Sequence, residues 1–282
     1  MINIIDGKKI SADIKEEIRL EVEKLVEGGK RAPGLAVIIV GENAASKVYV
    51  NSKVKTCSAL GIYSEKYNLD TAVTEVKLLK LIEELNNKEE IDGILVQLPL
   101  PKHIDEDKVI EAIKPNKDVD GFHPKNLGKL VIGKSGFKSC TPYGIMELLK
   151  RYKIDLNGKD VVIIGRSNIV GKPLSIMLTN ENATVTLCHS RTKNLSEKTI
   201  NADIVVVAIG KEKFLTEDMV KDGSVVIDVG INRNSLGKLC GDVDFENVSK
   251  KTSLITPVPG GVGPMTIAML MKNTVKSRIE KI

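Results

Sequence analysis

The sequence predicts an α/β protein with two α/β domains that flank a cleft, the C-terminal domain being a Rossmann-type doubly wound parallel sheet. Its 282 residues give room for two domains of about 150 residues each. Short apolar runs alternate with segments of helical periodicity, the order in which parallel strands and their crossover helices follow one another. Tryptophan is absent and aromatic residues make up only 3% of the chain, so aliphatic side chains must fill the cores, as in parallel sheets.

The first half of the chain alternates predicted strands and helices. Residues 35–40 and 91–98 are continuous apolar runs and predict buried strands. Residues 46–60 and 75–85 have apolar positions at helical spacing, and Gly61 ends the first of these helices. This strand–helix–strand order implies that the strands pair in parallel.

The second half has the pattern of a nucleotide-binding sheet. We expect a loop at residues 128–139, rich in glycine, lysine and serine, to lead to the domain boundary. Thr141 and Pro142 then predict a helix start, with threonine as the N-cap and proline at the first helical position. The next predicted elements are strands at 160–164, 184–187, 204–208 and 224–229 and a helix at 172–178. Their order is that of a doubly wound sheet.

Two domains follow from these patterns. The first is predicted to cover residues 1–139, and the second, with the nucleotide-type sheet, residues 140–263. A final amphipathic helix begins at residue 264, and we expect residues 264–282 to pack back on the first domain. The sequence contains no internal repeat and no low-complexity tract.

Composition excludes several kinds of partner and site. The net charge of +5 comes mostly from dispersed lysines, and without a basic cluster interleaved with aromatic residues no nucleic-acid partner is predicted. The four cysteines form no CxxC pair and the three histidines lack ligand spacing, which predicts free thiols and no metal site. With no export signal and no apolar stretch of about 18 residues, we expect a soluble cytoplasmic protein without membrane contact.

A glycine-rich turn after the strand at 160–164 is the candidate nucleotide site. It begins with Gly165, Arg166 and Ser167 and reaches Gly171, which predicts free backbone N–H groups and a helix N-terminus for a pyrophosphate. Ser167 stands where the usual GxGxxG motif has its second glycine, and the last glycine comes one position late. A tight turn without any ligand is the alternative interpretation.

The end of the next predicted strand favours NADP over NAD. An NAD site usually has an acidic residue there for the ribose 2′-hydroxyl, but this chain has Ser190 and Arg191 after His189. Ser190 can donate a hydrogen bond, and Arg191 and Arg166 bring permanent positive charge with forked donors, which suits a 2′-phosphate. The alternative is that both arginines are solvated surface charges.

Four polar side chains are candidates for catalysis. Tyr49 and Lys53 are four residues apart on a predicted helix and share one face, although such a pair is frequent by chance. Gln97 ends a predicted buried strand, where α/β sites form, but it is equally compatible with an edge residue that binds backbone. Asp120 precedes Gly121, so a turn-forming aspartate is its alternative.

Five segments occur in order over nearly the whole chain. They are residues 41–53, 92–101, 117–123, 165–173 and 257–266. With these segments the chain resembles the bifunctional methylenetetrahydrofolate dehydrogenase/cyclohydrolase family, whose nucleotide turn is unusual in the same way.

The resemblance implies a role for each candidate. Lys53 corresponds to the catalytic lysine, Gln97 to its hydrogen-bond partner, Tyr49 to the ring that stacks on the aminobenzoyl portion of the substrate, and Asp120 to the anchor of the pterin. Further implied substrate-binding residues are Val96, Leu98, Pro259, Gly260, Gly261 and Pro264. The implied cofactor-binding residues are Gly165, Arg166, Ser167, Ser190, Arg191 and Ile231. The glycines allow close backbone approach to a flat ligand, or else simply form a loop before the last helix.

Two reactions at one site follow from the resemblance. NADP would oxidise 5,10-methylenetetrahydrofolate to the methenyl compound, and water would then open that compound to 10-formyltetrahydrofolate, with Lys53 as the candidate for the proton transfers. The resemblance also implies a cytoplasmic homodimer of one-carbon metabolism that serves tetrahydrofolate interconversion and purine biosynthesis. The alternatives are an NADP-dependent dehydrogenase of another substrate, such as a shikimate-type enzyme, and a non-catalytic nucleotide-binding protein.

Overall fold

The computed structural model describes residues 4–281, except for the side chain of Ala45. The helices and strands, in chain order, are α1 (Gly7–Glu27), β1 (Gly34–Val40), α2 (Ala44–Ala59), β2 (Tyr63–Leu69), α3 (Glu75–Asn87), β3 (Gly93–Val96), α4 (Glu106–Ala112), α5 (Pro124–Val131), α6 (Cys140–Arg151), β4 (Asp160–Ile164), α7 (Gly171–Asn180), β5 (Thr184–Cys188), α8 (Leu195–Thr199), β6 (Ile204–Val207), β7 (Val225–Asp228), β8 (Asn232–Arg233), β9 (Leu239–Cys240), α9 (Phe245–Val248), β10 (Leu254–Ile255) and α10 (Val262–Ile279). A short 3-10 helix spans Glu217–Met219.

The chain divides into two compact units. One unit, which we call the three-strand unit, consists of residues 13–140 and 267–282. The other, the five-strand unit, consists of residues 1–12 and 141–266. Each unit contains its own parallel sheet with a buried aliphatic core.

The three-strand unit is built on a sheet of order β2-β1-β3 in which both pairings are parallel. All seven residues of the central strand β1 are buried, which explains its uninterrupted aliphatic sequence. The strand β3 is shorter than the predicted 91–98, and the backbone N–H of Gln97 still donates to Ile38 O at 2.8 Å. Gln97 is therefore fixed directly beyond the carboxyl end of β3.

Two predicted helix boundaries in this part of the chain are wrong. The predicted loop at 128–139 begins inside α5, because His123 accepts a hydrogen bond as the N-cap and Pro124 starts the helix. Helix α6 begins at Cys140, so Thr141 lies within its first turn. The hydroxyl of Thr141 is hydrogen-bonded to that of Thr266 at 3.0 Å, which explains why threonine occurs there without acting as an N-cap.

The five-strand unit contains a parallel sheet of order β10-β7-β6-β4-β5. The chain starts this sheet at β4, adds β5 on one side, and then returns to the other side with β6, β7 and β10. The sheet is therefore doubly wound, with its switch point between β4 and β6. The predicted α/β class with parallel sheets is confirmed.

The termini do not follow the predicted domain bounds. The sequence predicts that residues 1–12 belong to the first domain, but residues 4–12 group with the five-strand unit, and residues 1–3 lie outside the described residues. The physical reason is that Ile4 forms a parallel bridge with Ile255 and Ile5 N–H donates to Ile255 O at 2.8 Å. At the other terminus, Asn273 of α10 donates to Val119 O at 2.8 Å within the three-strand unit, and residues from 267 onward group there.

Candidate active site

Lys53 and Gln97 form a directed hydrogen-bonded pair in the three-strand unit. Lys53 lies on α2 with only 7% of its surface exposed, and its Nζ donates to Gln97 Oε1 at 3.0 Å. The Nε2 group of Gln97 donates to Leu98 O at 2.7 Å. Because the amide nitrogen is occupied in this way, the carboxamide oxygen is the atom that faces the lysine.

Asp120 belongs to the same group of charges. It is half-buried, and burial raises the pKa of its carboxyl, against the positive charge of Lys53 and a hydrogen bond from Cys140. The influence of Lys53 on this pKa shows that the two side chains lie within electrostatic reach of each other. The structure thus brings Lys53, Gln97 and Asp120 into one group of polar side chains.

A buried aspartate two residues earlier holds the turn that presents Asp120. Asp118 Oδ1 accepts from the N–H groups of Gly121 at 3.2 Å and Phe122 at 3.1 Å. Its Oδ2 accepts from His123 N–H at 2.9 Å and from Asn126 Nδ2 at 2.8 Å. Burial raises the pKa of Asp118 to about 6, and these donors oppose the rise. The sequence analysis missed this role, although an aspartate followed by several free backbone N–H groups is its usual signal.

Gly121 makes the turn after Asp120 sterically feasible. Its φ is +77°, and an added Cβ would lie 2.5 Å from the carbonyl carbon of Lys138. Any other residue here would combine a left-handed backbone with a backbone clash. Glycine is therefore required after Asp120 by the backbone of this turn.

Tyr49 lies one helical turn before Lys53 on α2 and is half-buried. Burial raises the pKa of its phenol, so the ring stays neutral at neutral pH. A neutral, half-exposed ring suits stacking on a flat ligand better than proton transfer. Beneath the site, Val96 is buried and Leu98 is half-buried.

The glycine-rich turn of the five-strand unit connects β4 to the start of α7. Gly165 directly follows β4 with φ +124°, and a Cβ there would lie 2.3 Å from Ala208 O. Arg166 and Ser167 follow and are exposed. Helix α7 then starts at Gly171, and in the described part of the chain no side chain caps it at Val170. An uncapped helix N-terminus with an adjacent arginine fits an anionic group.

Ser190 and Arg191 lie just beyond the carboxyl end of the neighbouring strand β5. Both are exposed, and His189 holds their turn by accepting Thr192 N–H at its carbonyl oxygen, at 2.8 Å. Ile164 and Cys188 are register partners, so β4 and β5 end at the same level of the sheet. Arg191 and Ser190 are consequently placed beside the Gly165 turn, with no acidic residue between positions 188 and 193.

The proline- and glycine-rich loop and Ile231 also belong to the five-strand unit. Gly260 O accepts from Lys8 N–H at 2.8 Å, and Pro264 O accepts from Ser11 Oγ at 2.9 Å. The peptide bond before Pro259 is cis, and Gly261 is buried. Ile231 follows β7 with 50% of its surface exposed, so its side chain is accessible to a ligand.

Residues 4–281 contain neither a candidate metal site nor a membrane-spanning helix. No group of three or more His, Cys, Asp or Glu side chains there is arranged to hold a metal ion. None of the helices described is long and apolar enough to cross a membrane. Cys57, Cys140 and Cys188 are buried free thiols, and Cys240 is half-buried.

Comparison with known proteins gives matches to both halves of the chain. A family model for the catalytic domain of tetrahydrofolate dehydrogenase/cyclohydrolase matches residues 5–120. A second model, for the NAD(P)-binding domain of the same family, matches residues 139–281. The chain belongs to the tetrahydrofolate dehydrogenase/cyclohydrolase family. The predicted family is therefore confirmed, as is the dinucleotide-binding character of the second half.

Relatives within this family match over their whole length. The bifunctional protein FolD of Campylobacter hominis is 61% identical over 276 residues, covering 98% of this chain and 97% of that protein. A crystal structure of the bifunctional FolD enzyme from Campylobacter jejuni is 55% identical with a TM-score of 0.98, covering 100% of both chains. The Trypanosoma brucei enzyme, solved with NADP cofactor and inhibitor, is 38% identical with a TM-score of 0.95, covering 99% of this chain and 97% of that one.

Proposed function

We propose that Lys53, Gln97, Asp120 and Tyr49 form the active site of a bifunctional enzyme of one-carbon metabolism. The enzyme oxidises 5,10-methylenetetrahydrofolate with NADP+ and hydrolyses the methenyl product to 10-formyltetrahydrofolate, in agreement with its family. The main support for this assignment is the hydrogen bond of 3.0 Å from Lys53 Nζ to Gln97 Oε1, together with the charge of Asp120 nearby.

Asp120 and Tyr49 bind the substrate in this proposal. An ionised carboxylate accepts the two neighbouring N–H groups of an aminopyrimidinone ring, and few other side chains offer two such acceptors. The neutral ring of Tyr49 stacks on the aminobenzoyl portion. NADP+, when bound, accepts the hydride. The nitrogen lone pairs of the substrate stabilise the resulting cation, so the protein contributes positioning rather than acid–base catalysis to this step.

Lys53 acts in the hydrolytic step. In its amine form, Nζ takes a proton from water while the water oxygen bonds to the methenyl carbon. It returns this proton to N5 as the bond between that carbon and N5 breaks, and the hydroxyl group on the carbon loses its proton to solvent, which gives neutral 10-formyltetrahydrofolate and one released proton. Gln97 Oε1 accepts one N–H of Lys53 and so directs the remaining positions of the nitrogen towards the reacting atoms. Gln97 is therefore a positioning residue.

The cofactor residues are assigned from charge and placement. Gly165, Arg166 and Ser167 lie where a pyrophosphate meets the start of α7, and the N–H groups of the turn suit it. Ser190 and Arg191 lie just beyond β5, at the position where such a sheet binds the 2′ group of the adenosine ribose. The Trypanosoma brucei relative was solved with NADP, which supports the same cofactor here. Ile231 extends this site beyond β7, and the loop from Pro259 to Pro264 supplies further substrate contacts.

The assembly and location are further parts of the proposal. The enzyme forms a homodimer through the five-strand unit, in which β5 is an edge strand whose residues Thr184 and Thr186 are exposed. It acts in the cytoplasm, where 10-formyltetrahydrofolate serves purine biosynthesis. Light scattering of the purified protein tests the dimer, since it should give twice the mass of one chain, and a monomer mass at micromolar concentration would contradict it.

A spectrophotometric assay tests the function. Purified protein is mixed with methylenetetrahydrofolate and either NADP+ or NAD+, and the formation of reduced cofactor is followed. We expect turnover with NADP+ and much less with NAD+. Turnover that does not depend on methylenetetrahydrofolate, or cofactor binding without turnover, would contradict the proposed reaction. Equal rates with NAD+ would contradict only the cofactor assignment.

A further inference from the structure

Two buried carboxylates lie under the carboxyl ends of β6 and β7. Asp242 has no exposed surface and Asp228 is only 3% exposed. Neither residue has a role in the reaction described above. Burying two carboxylates side by side is costly, so their contacts call for an explanation.

Asp242 fastens two loops to each other. Its Oδ2 accepts from the backbone N–H groups of Ile209 at 2.7 Å and Gly210 at 3.0 Å. Its Oδ1 accepts from Lys211 N–H at 2.8 Å and from the side-chain amide of Asn232 at 2.8 Å. Residues 209–211 follow β6, and Asn232 is next to Ile231 after β7. One carboxylate therefore sets the distance between these two loops.

Asp228 fastens Asp242 in turn. Its Oδ1 accepts from the N–H groups of Asp242 and Gly230, both at 2.9 Å, and its Oδ2 accepts from Val243 N–H at 3.0 Å. The proximity of the negative Asp242 contributes to raising the pKa of Asp228, after burial. The two carboxylates form a connected unit below Ile231.

The donors to this pair are neutral. Six are backbone N–H groups and one is the side-chain amide of Asn232. Four of these donors bind Asp242, two at each carboxylate oxygen, and the other three bind Asp228. In these contacts each carboxyl group acts only as an acceptor, which is the role of a carboxylate. Among residues 4–281, no ammonium or guanidinium group is seen hydrogen-bonded to either carboxylate, so the negative charge is not cancelled by direct contact.

Strand order places this charge relative to the proposed cofactor site. Across the sheet, the carboxyl ends of neighbouring strands lie side by side in the order β5, β4, β6, β7. Ser190 and Arg191 follow β5, and the Gly165 turn follows β4. A dinucleotide with its 2′-phosphate at β5 and its pyrophosphate at β4 must extend its nicotinamide half towards β6 and β7. The loops fastened by Asp242 lie on that side.

We propose that the Asp228–Asp242 pair positions the loops for the nicotinamide half of NADP and, through its buried negative charge, favours the oxidised over the reduced cofactor. The oxidised nicotinamide ring carries a positive charge that the reduced ring lacks, so a fixed negative charge stabilises only the former. This preference would load NADP+ in the presence of NADPH. The inference rests on the proposed cofactor residues and deepens their assignment.

Calorimetric binding to substrate-free protein tests the proposal. The ligands are NADP+, NADPH and adenosine 2′,5′-bisphosphate, which contains the 2′-phosphate half alone. The variants are Asp242→Asn, which removes the charge, and Asn232→Lys, which places a positive charge beside Asp242 from the partly exposed loop. The matched control is Asn232→Met, which removes the same hydrogen bond without adding charge. If Asp242→Asn fails to fold, Asn232→Lys still tests the effect of the buried negative charge.

We expect the ratio of the Kd for NADP+ to that for NADPH to rise about threefold or more in Asp242→Asn and Asn232→Lys, a modest effect for one charge in a partly solvated site. In Asn232→Met both Kd values should rise equally. The fragment should bind every folded variant as it binds the wild type. An unchanged ratio in Asn232→Lys, or a parallel loss of fragment binding, would overturn the inference. A wild-type protein that fails to bind the fragment would instead overturn the proposed cofactor site beneath it.

Discussion

Gln97 can orient Lys53 because its carboxamide has one free acceptor. The Nε2 group is bound to Leu98 O, and the backbone N–H is bound to Ile38 O. Both ends of the residue are thus fixed, and Oε1 is left for Nζ of Lys53. A lysine held in this way has lost its rotamer freedom before the substrate arrives, which lowers the entropic cost of aligning it.

The raised pKa of Asp120 predicts that substrate binding depends on pH. Burial raises its pKa above the ordinary 3.8, so the carboxylate that we propose binds the pterin is lost as the pH falls, and at a higher pH than for an exposed aspartate. We expect kcat/KM of the dehydrogenase reaction to decrease on the acid side through this raised pKa. Rate measurements across acidic to neutral pH would show it.

Asp120→Asn should remove that acid limb and lower kcat/KM by about 10- to 100-fold, because an amide offers only one acceptor to the two N–H groups. Asp107→Asn, an exposed aspartate on α4, is the control and should leave the pH profile unchanged. An acid limb that persists in Asp120→Asn would assign the titration to another group.

For single residues, the sequence predicted the candidate catalytic side chains but not all of the structural ones. Lys53, Gln97 and Asp120 were chosen from their types and from the family resemblance, and the structure places them together. The hydrogen-bond roles of Asp118 and Asp242 were not predicted. Their donors are mostly backbone N–H groups of loops, and a sequence carries no sign of which loop a buried carboxylate will meet.

At the scale of an element, the turn at 118–123 depends on one side chain. Asp118→Ala removes the side-chain acceptor shared by three backbone N–H groups and the amide of Asn126. We expect a loss of about 3 kcal/mol in the free energy of unfolding, and a higher KM for the folate, because Asp120 is no longer held. Urea unfolding and steady-state kinetics measure the two effects.

Asp105→Ala provides the graded comparison for that prediction. Asp105 caps α4 by accepting two N–H groups in an exposed position, so its loss should cost about 1 kcal/mol and leave KM unchanged. If both variants were destabilised equally, with no change in KM for Asp118→Ala, the turn would not be what positions Asp120.

Strands and helices differed in how well the sequence predicted them. Continuous aliphatic runs predicted β1 and β4 to within one residue, because fully buried parallel strands have no polar face. The strand β2 was missed, since its sequence is mostly polar and none of its residues is fully buried at this sheet edge. Helix α1 was also missed, although Ile14, Ile18 and Val22 repeat at helical spacing and are buried.

At the scale of the whole molecule, the chain path limited the prediction of domain bounds. Residues 4–12 precede the three-strand sheet in sequence, yet Ile4 and Ile5 add to the edge of the five-strand sheet at Ile255. Such a long-range pairing depends on backbone hydrogen bonds and leaves no local pattern. The glycine turn and the strand order were local or sequential features, so they were predictable.

The preference for NADP over NAD depends on more than one element of the five-strand unit, because the proposed cofactor residues lie at the ends of both β4 and β5. Arg191→Ala should raise KM for NADP+ by about 10- to 100-fold, the loss expected for one charge-assisted contact to phosphate. KM for NAD+ should stay as it is. Lys193→Ala, two residues away and exposed, is the control. Equal effects on both cofactors would show that Arg191 does not contact the 2′-phosphate.

The central claim is that Lys53 transfers the protons of the hydrolytic step, and Lys53→Met tests it most directly. Hydrolysis of methenyltetrahydrofolate, followed by its absorbance after correction for the uncatalysed rate, should fall by at least about 100-fold. NADP-dependent oxidation of the methylene compound should remain measurable. Lys55→Met, an exposed lysine on the same helix, should hydrolyse like the wild type. Full hydrolysis by Lys53→Met would remove this lysine from the mechanism.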